Sequence, residues 1–339
     1  MSSDREILAR IRAEIGRDPL LEMEGDTCVS LSLWDESEPL AGLIRHHAPA
    51  AQQRVLLDIA RLRGLRTLDI HQNWLRSLPV ELGGLKSLRS LNLCSNYLGV
   101  LPEWIWDLDQ LEFLSVGVNN LEAVSPRVGE LPALKSLYLH KNRIREVPTQ
   151  IRNLRGLKTL SLYLNAVPEF PLWVTELPEI EMFSWGISGI TRFPREIAVW
   201  KKLKYLTLVS CQFDNLEGIE DCVSLLGTRL HKNRVKALPR DWSRMRSLRQ
   251  ITLYQNELAE LPASMAGLDR LQMLNIAWNR FTHLPAWIAT MKGLAWLSAH
   301  HNDWADPAEF DRLPARIEVV REHPFGWQRP PLWNKLDYT

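Results

Sequence analysis

Aliphatic residues, mostly leucine, return at positions 1, 4 and 6 of a nine-residue frame along most of this chain, and asparagine closes the frame at position 9. Leu88-Arg89-Ser90-Leu91-Asn92-Leu93-Cys94-Ser95-Asn96 shows the pattern. The asparagine recurs every 23 residues, at Asn73, Asn96, Asn119, Asn142 and Asn165, and again at Asn233, Asn256, Asn279 and Asn302. Alternation at positions 3 to 7 is the period of a half-buried strand, so positions 4 and 6 point inward and positions 3, 5 and 7 outward. The asparagine then turns the chain, and its amide can satisfy backbone groups that would otherwise be buried unpaired. An apolar residue and usually Leu-Pro follow, as at Leu78-Pro79, Leu101-Pro102 and Leu261-Pro262. Proline lacks an N–H, so this return segment is expected as short helical or irregular turns and not as a central strand.

Full repeats begin at Leu65, Leu88, Leu111, Leu134, Leu157, Ile180, Leu203, Leu225, Leu248, Leu271 and Leu294. No single repeat can bury its own leucines, so stability must come from stacking on neighbours. In frame and period the chain resembles the leucine-rich repeat superfamily in its LxxLxLxxNxLxxLPxxIxxLxx form, over residues 65 to about 320. That resemblance implies an α/β solenoid: a leucine-rich repeat horseshoe with a parallel concave β-sheet, a helical N-terminal cap and a short C-terminal cap. Similar repeats occur in bacterial effector and intracellular scaffold proteins, which implies protein recognition and says little about the ligand.

The expected organisation is a cap over residues 1–64, eleven repeats over 65–315, and a C-terminal cap with a Pro/Trp-rich tail over 316–339. Ile7, Leu8, Ile11 and Ile15 share one helical face, predicting an amphipathic helix over 3–17. Cys28–Leu33 reads as a degenerate first strand, residues 38–63 as a helical insertion, and Leu313–Val319 as a terminal strand. The tail, with Phe325, Trp327, Pro330, Pro331 and Trp333, either packs over the last coil or serves as an extended docking peptide. The repeat breaks at 180–224, where Ser188 and Cys211 replace the asparagine, Trp185 takes a leucine position, and one repeat has 22 residues without Leu-Pro. Ordinary drift and a local kink both account for this stretch.

Freed from core packing, the strand face is where binding residues are expected. Position 7 carries His71, His140, His231 and His300, four of the nine histidines, together with Cys94, Tyr163 and Tyr254. Phe113, Tyr138, Tyr205, Trp278 and Trp296 join the same face, and aromatic rings supply contact area with little entropy lost. Basic residues also dominate this face. Arg66, Arg89, Lys135, Lys141, Lys158, Lys204, Arg229, Lys232 and Arg249 stand against Asp69, Glu112 and Glu181, nine minus three or +6, on a chain whose net charge is +1. An acidic protein surface is therefore the expected partner. Nucleic acid is disfavoured, because the basic residues are spread and not dense. The run Leu139-His140-Lys141-Asn142-Arg143 recurs as Leu230-His231-Lys232-Asn233-Arg234, and Tyr163 is matched by Tyr254, all 91 residues apart. Two equivalent gripping patches and an unused ancestral duplication explain this equally well.

Other chemistry is thin. Cys94 beside His71 and Asp69 is the one arrangement resembling a thiol nucleophile with its base, and it defines the competing reading of an enzyme or secreted effector. A polyanion binder is a further alternative. The position-7 histidines are three or more coils apart, too far to share a metal, and His300-His301 is expected to send its rings to different sides. Gly83-Gly84-Leu85-Lys86-Ser87 lacks the full phosphate-loop pattern, and no cysteine has the Cys-x-Asp spacing of effector ubiquitin ligases. No cofactor is expected. Four scattered cysteines, a charged N-terminus without an apolar signal core, and no membrane-length apolar run predict a cytoplasmic, non-enzymatic recognition module, a scaffold, adaptor or substrate-recognition protein.

Overall fold

A computed structural model describes residues 3–33, 44, 47–186 and 190–321. The chain divides into two compact units: Met1–Val167 with Glu176–Glu179, and Pro168–Thr175 with Ile180–Thr339. The division lies just before the irregular stretch 180–224.

The N-terminal unit begins with α1 (Asp4–Ile15), whose Ser3 and Glu6 cap each other's backbone and whose C-terminus stops at Gly16 with φ 72°. Of the predicted helical face, Ile7, Ile11 and Ile15 are buried and Leu8 is half-buried. β1 (Leu20–Glu24) and β2 (Thr27–Ser32) then form an antiparallel hairpin. β2 is the degenerate first strand; β1 carries no frame and could not be foreseen. α2 (Pro49–Ile59) occupies part of the expected insertion, of which residues 38–43, 45 and 46 lie outside the described residues. Five short strands follow: β3 (Thr67–Asp69), β4 (Ser90–Asn92), β5 (Phe113–Ser115), β6 (Ser136–Tyr138) and β7 (Thr159–Ser161). From β2 to β7 they pair in parallel, and from β3 onward equivalent frame positions lie side by side.

The C-terminal unit repeats the plan with β8 (Met182–Gly186), β9 (Tyr205–Val209), β10 (Gly227–Arg229), β11 (Gln250–Thr252), β12 (Met273–Asn275), β13 (Trp296–Ser298) and β14 (Glu318–Val320), all parallel. Strands therefore fall on all eleven predicted repeats. At the end of this unit Trp304 covers Phe281 and Phe310, with ring centroids at 6.0 Å and 5.0 Å. The Pro/Trp-rich tail from residue 322 lies outside the described residues. Each unit is a leucine-rich repeat α/β solenoid.

Proline sets the return segments. Pro79, Pro102, Pro148 and Pro262 stand at the N-caps of five-residue 3-10 helices, with φ between −69° and −63°, the angle their rings impose. Each such turn drops one aliphatic side chain into the core, among them Ile105, Ile151 and Met265, all with no exposed surface.

The asparagine ladder joins the coils through three to five side-chain bonds per residue. Asn119 Nδ2 donates to the carbonyls of Val116 and Gly117 in its own coil at 3.1 Å each and to Leu93 in the preceding coil at 3.0 Å. Its Oδ1 accepts the Leu98 N–H at 2.9 Å. Asn96, Asn142, Asn256 and Asn279 repeat the pattern within their units. The residue before each described ladder position is left-handed: Gln72, Ser95, Val118, Lys141, Leu164, Ser210, Lys232, Gln255, Trp278 and His301 all have φ between 53° and 58°. No sequence signal marks this, since none of them is glycine or asparagine, the residues that accept such angles at least cost.

In the irregular repeats the core changes character. Trp185 is fully buried at a leucine position, with Phe170 edge-on at 5.3 Å, while Phe183 meets Trp200 at 5.1 Å. Cys211, where an asparagine is due, donates its thiol to Val209 O at 3.4 Å. Strands β8 and β9 extend to five residues and pair through position 7, where Gly186 faces Val209. A Cβ on Gly186 would stand 2.1 Å from Val209 O, so Gly186→Ala forces backbone to move. We expect it to destabilise the C-terminal unit by about 2 kcal/mol or more in urea titrations, the usual scale of overpacking against a rigid neighbour.

Candidate binding face on the strand side

Side chains at positions 3, 5 and 7 of neighbouring coils stand one strand spacing apart, roughly 4.8 Å. At that distance they pack on each other, and position 7 is far less open than alternation alone predicts. Cys94, His140, Val209, His231 and Ala277 are all buried. His140 is 5% exposed and His231 8%, so these two candidate contacts are not surface residues, contrary to the sequence expectation. His140 sinks because its neighbour in the preceding coil is Gly117, where even a Cβ would come within 2.4 Å of the imidazole. His231 is covered by Tyr254, stacked on it at 4.2 Å and 15°.

Burial changes their charge. Desolvation, with Lys141 beside it, lowers the His140 pKa to about 4. Desolvation, with Arg229 and Lys232, lowers that of His231 to about 3. Both rings are neutral at pH 7, and the Nδ1 of each is buried without a hydrogen-bond partner. They support the face from beneath and contribute no positive charge to it.

Among the other predicted residues of the N-terminal unit, Phe113 and Tyr138 lie 5.4 Å apart, centroid to centroid, and both are half-buried. Tyr138 meets His140 edge-on at 6.2 Å, and burial pushes its hydroxyl pKa up. Tyr163 is half-buried and Lys141 exposed. In the C-terminal unit Tyr205, Arg229, Tyr254, Trp296 and His300 are half-buried, while Lys232 and Trp278 are exposed. Trp278 is 42% exposed and stacks on His301 at 3.8 Å and 7°. His300 Nδ1 lies 2.7 Å from His301 Nδ1, so the two rings meet where divergence was expected, the left-handed backbone at His301 turning its side chain back. His301 is thus a face residue the sequence reading missed. The duplicated patches also differ, since Tyr138 in one corresponds to Arg229 in the other.

The basic excess is partly neutralised. Arg66 pairs with Glu24, a residue outside the sequence tally, Arg89 and Lys135 both reach Glu112, and Lys204 reaches Glu181. These bridges sit at the strand margin, position 2. The free-standing positive contribution at the face itself comes from the exposed Lys141 and Lys232.

The thiol centre does not form. Asp69 Oδ1 holds His71 Nδ1 at 2.6 Å, but Cys94 is 6% exposed and its pKa is raised, chiefly by burial. A protonated, enclosed thiol is a poor nucleophile. All four cysteines are free and buried. Among the described residues no group of three or more His, Cys, Asp or Glu side chains could hold a metal, and no helix is long and apolar enough to cross a membrane.

The leucine-rich repeat family model matches residues 63–121 and 229–281. A leucine-rich repeat protein of Leptospira interrogans is similar over 78% of this chain and 80% of its own, with 27% identity and a TM-score of 0.60. The internalin InlF of Listeria monocytogenes matches 92% of this chain and 94% of its own at 16% identity and a TM-score of 0.67. A plant peptide hormone receptor, RGFR1 in complex with RGF2, matches 80% of this chain and 56% of its own at 19% identity and a TM-score of 0.56. None of the curated proteins matches. Repeat frame, ladder, parallel strands and these likenesses together make the chain a leucine-rich repeat protein, built on a fold that serves generally as a protein-interaction module.

Proposed function

We propose that this protein is a non-enzymatic recognition module that binds an acidic protein surface on its strand face, acting as a scaffold, adaptor or substrate-recognition subunit. The observation that carries this reading is Trp278. Its indole is 42% exposed, it stands on a strand-edge position with φ 55°, and it is held flat against His301. A large apolar ring kept in water on a left-handed backbone costs stability on both counts, and contact with a partner offsets the first. Tyr254, Trp296 and Lys232 in the same unit, and Phe113, Tyr138, Tyr163 and Lys141 in the other, extend the same chemistry. Lysines at the face favour carboxylates through rate and selectivity more than through affinity. Four free cysteines favour a reducing, cytoplasmic setting.

The test is capture from a native lysate by wild type, by a Trp278→Ser/Lys232→Glu variant, and by a Val199→Ser control outside the strands. Trp278 and Lys232 are exposed, so folding should survive. Specific partners should be lost from the face variant and kept by the control. Equal capture by all three proteins would remove the strand face from consideration. A polyanion binder would instead be retained on heparin with a steep salt dependence.

A further inference from the structure

The N-terminal unit has a concavity of about 280 Å³ that the strand face does not use. Its walls come from residues following the ladder asparagines, Trp74, Arg76, Ser77 and Tyr97, and from His47 and Gln53 at the start of α2. Trp74 and Tyr97 occupy the same position in successive repeats. They are 40% and 47% exposed, with ring centroids 6.2 Å apart and planes inclined at 44°. Trp74 also has φ 58°, whereas Tyr97 is absent from the left-handed residues, so the first ring departs from the repeat's own geometry. A departure of this kind in a bulky residue is strained and points to a use.

The polar rim has one sign. Among the described residues Arg76 is the one charged side chain that lines the cleft, no Asp or Glu lines it, and the first turn of α2 carries no acid. His47 Nε2 meets the Glu14 carbonyl oxygen at 3.2 Å and so donates to it, while its Nδ1 has no partner. Two inclined aromatic rings on adjacent coils make a slot suited to the flat ring of proline in an extended segment, which enters with little entropy left to lose. The volume is at the small end of ligand sites, roughly 300–1,000 Å³, and fits a few residues of peptide.

We infer that this cleft, framed by Trp74, Tyr97, His47 and Arg76, binds a short extended proline-containing segment of a partner protein through its proline rings and a neighbouring carboxylate. The inference is independent of the strand-face reading, because the residues are different and the two can be varied separately.

The experiment uses an array of capped eight-residue peptides with two adjacent prolines and no, one or two aspartates, probed with the full chain. Binding should concentrate among the aspartate-bearing members, and solution titration of the best of them by fluorescence anisotropy should saturate. Trp74→Ala should weaken that binding about tenfold or more, the effect of losing roughly 1.4 kcal/mol of ring contact, while Trp74→Phe should retain most of it. Arg76→Gln should abolish the preference for aspartate without changing thermal unfolding, and it decides the matter if Trp74→Ala folds poorly. Trp278→Ser should bind as wild type. An array without binders, equal binding of neutral and acidic members, or a Trp74→Phe and Arg76→Gln pair indistinguishable from wild type alongside full binding by folded Trp74→Ala would overturn the inference.

Discussion

Replacing Asn119 by alanine should lower the stability of the N-terminal unit by about 4 kcal/mol, since each buried group left without its partner costs on the order of 1–3 kcal/mol. The side chain is 8% exposed and bonds three carbonyls and one N–H across two coils. Alanine leaves the Leu98 N–H and the Leu93 carbonyl facing a core that water does not reach. The loss should propagate, because each coil is stabilised by its neighbours and not by its own contacts. Asn256→Ala should act in the same way on the C-terminal unit, where it removes the bonds to Val235 N–H and Leu230 O. Urea titration followed by circular dichroism measures both. A cost below about 1 kcal/mol, the net value of one ordinary hydrogen bond, would mean that water or backbone shifts replace the ladder.

The second large effect is on acid stability. His140 and His231 have folded-state pKa values lowered from 6.5 to about 4 and about 3. The unfolded chain therefore binds protons that the folded chain refuses. Stability is unaffected above about pH 7, begins to fall near 6.5, and is fully lost for His140 only near pH 4. At pH 5 each histidine should cost its unit about 2 kcal/mol, from 1.36 kcal/mol per pH unit of linkage. Native carboxylates such as Glu112 and Asp107, whose pKa values are lowered by Lys135 and Arg127, add their own losses at lower pH. The difference is separable with His140→Gln and His231→Gln. Each should flatten the stability profile between pH 7 and 5 in its own unit, even where it lowers stability at pH 7. Parallel profiles for wild type and variants over that range would show that neither imidazole is held neutral by the fold.

The repeat frame made the architecture legible because period and side-chain direction are tied together: a residue at position 4 or 6 of a strand has nowhere to go but inward. That logic correctly placed every repeat strand, the first-helix face at Ile7, Ile11 and Ile15, and Trp185 in the core. Alternation alone could not tell how open position 7 is. Openness depends on the neighbour one coil away, so a glycine at 117 buries His140 and a tyrosine at 254 buries His231. β1 was invisible for a related reason, since Leu20–Glu24 forms a strand by pairing with β2 and not by any frame of its own. The left-handed position before the ladder asparagine also escaped notice. It is imposed by the turn on whatever residue arrives there, including Val118 and Leu164, and it brings His301 onto Trp278. The charge tally was misleading in place, because the margin residues Arg89, Lys135 and Lys204 are paired with Glu112 and Glu181.

The central claim is that binding takes place on the strand face. Hydroxyl-radical footprinting of the protein with and without its captured partner tests it most directly, because aromatic side chains report their own exposure. Trp278, Tyr254, Trp296, Phe113, Tyr138 and Tyr163 lie on that face, while Leu172, 54% exposed, stands off it as an internal reference. The account predicts protection of Trp278 and of at least one further face aromatic, with Leu172 unchanged. Protection confined to Leu172 and other return-segment residues, with Trp278 oxidised as fast as in the free protein, would contradict it.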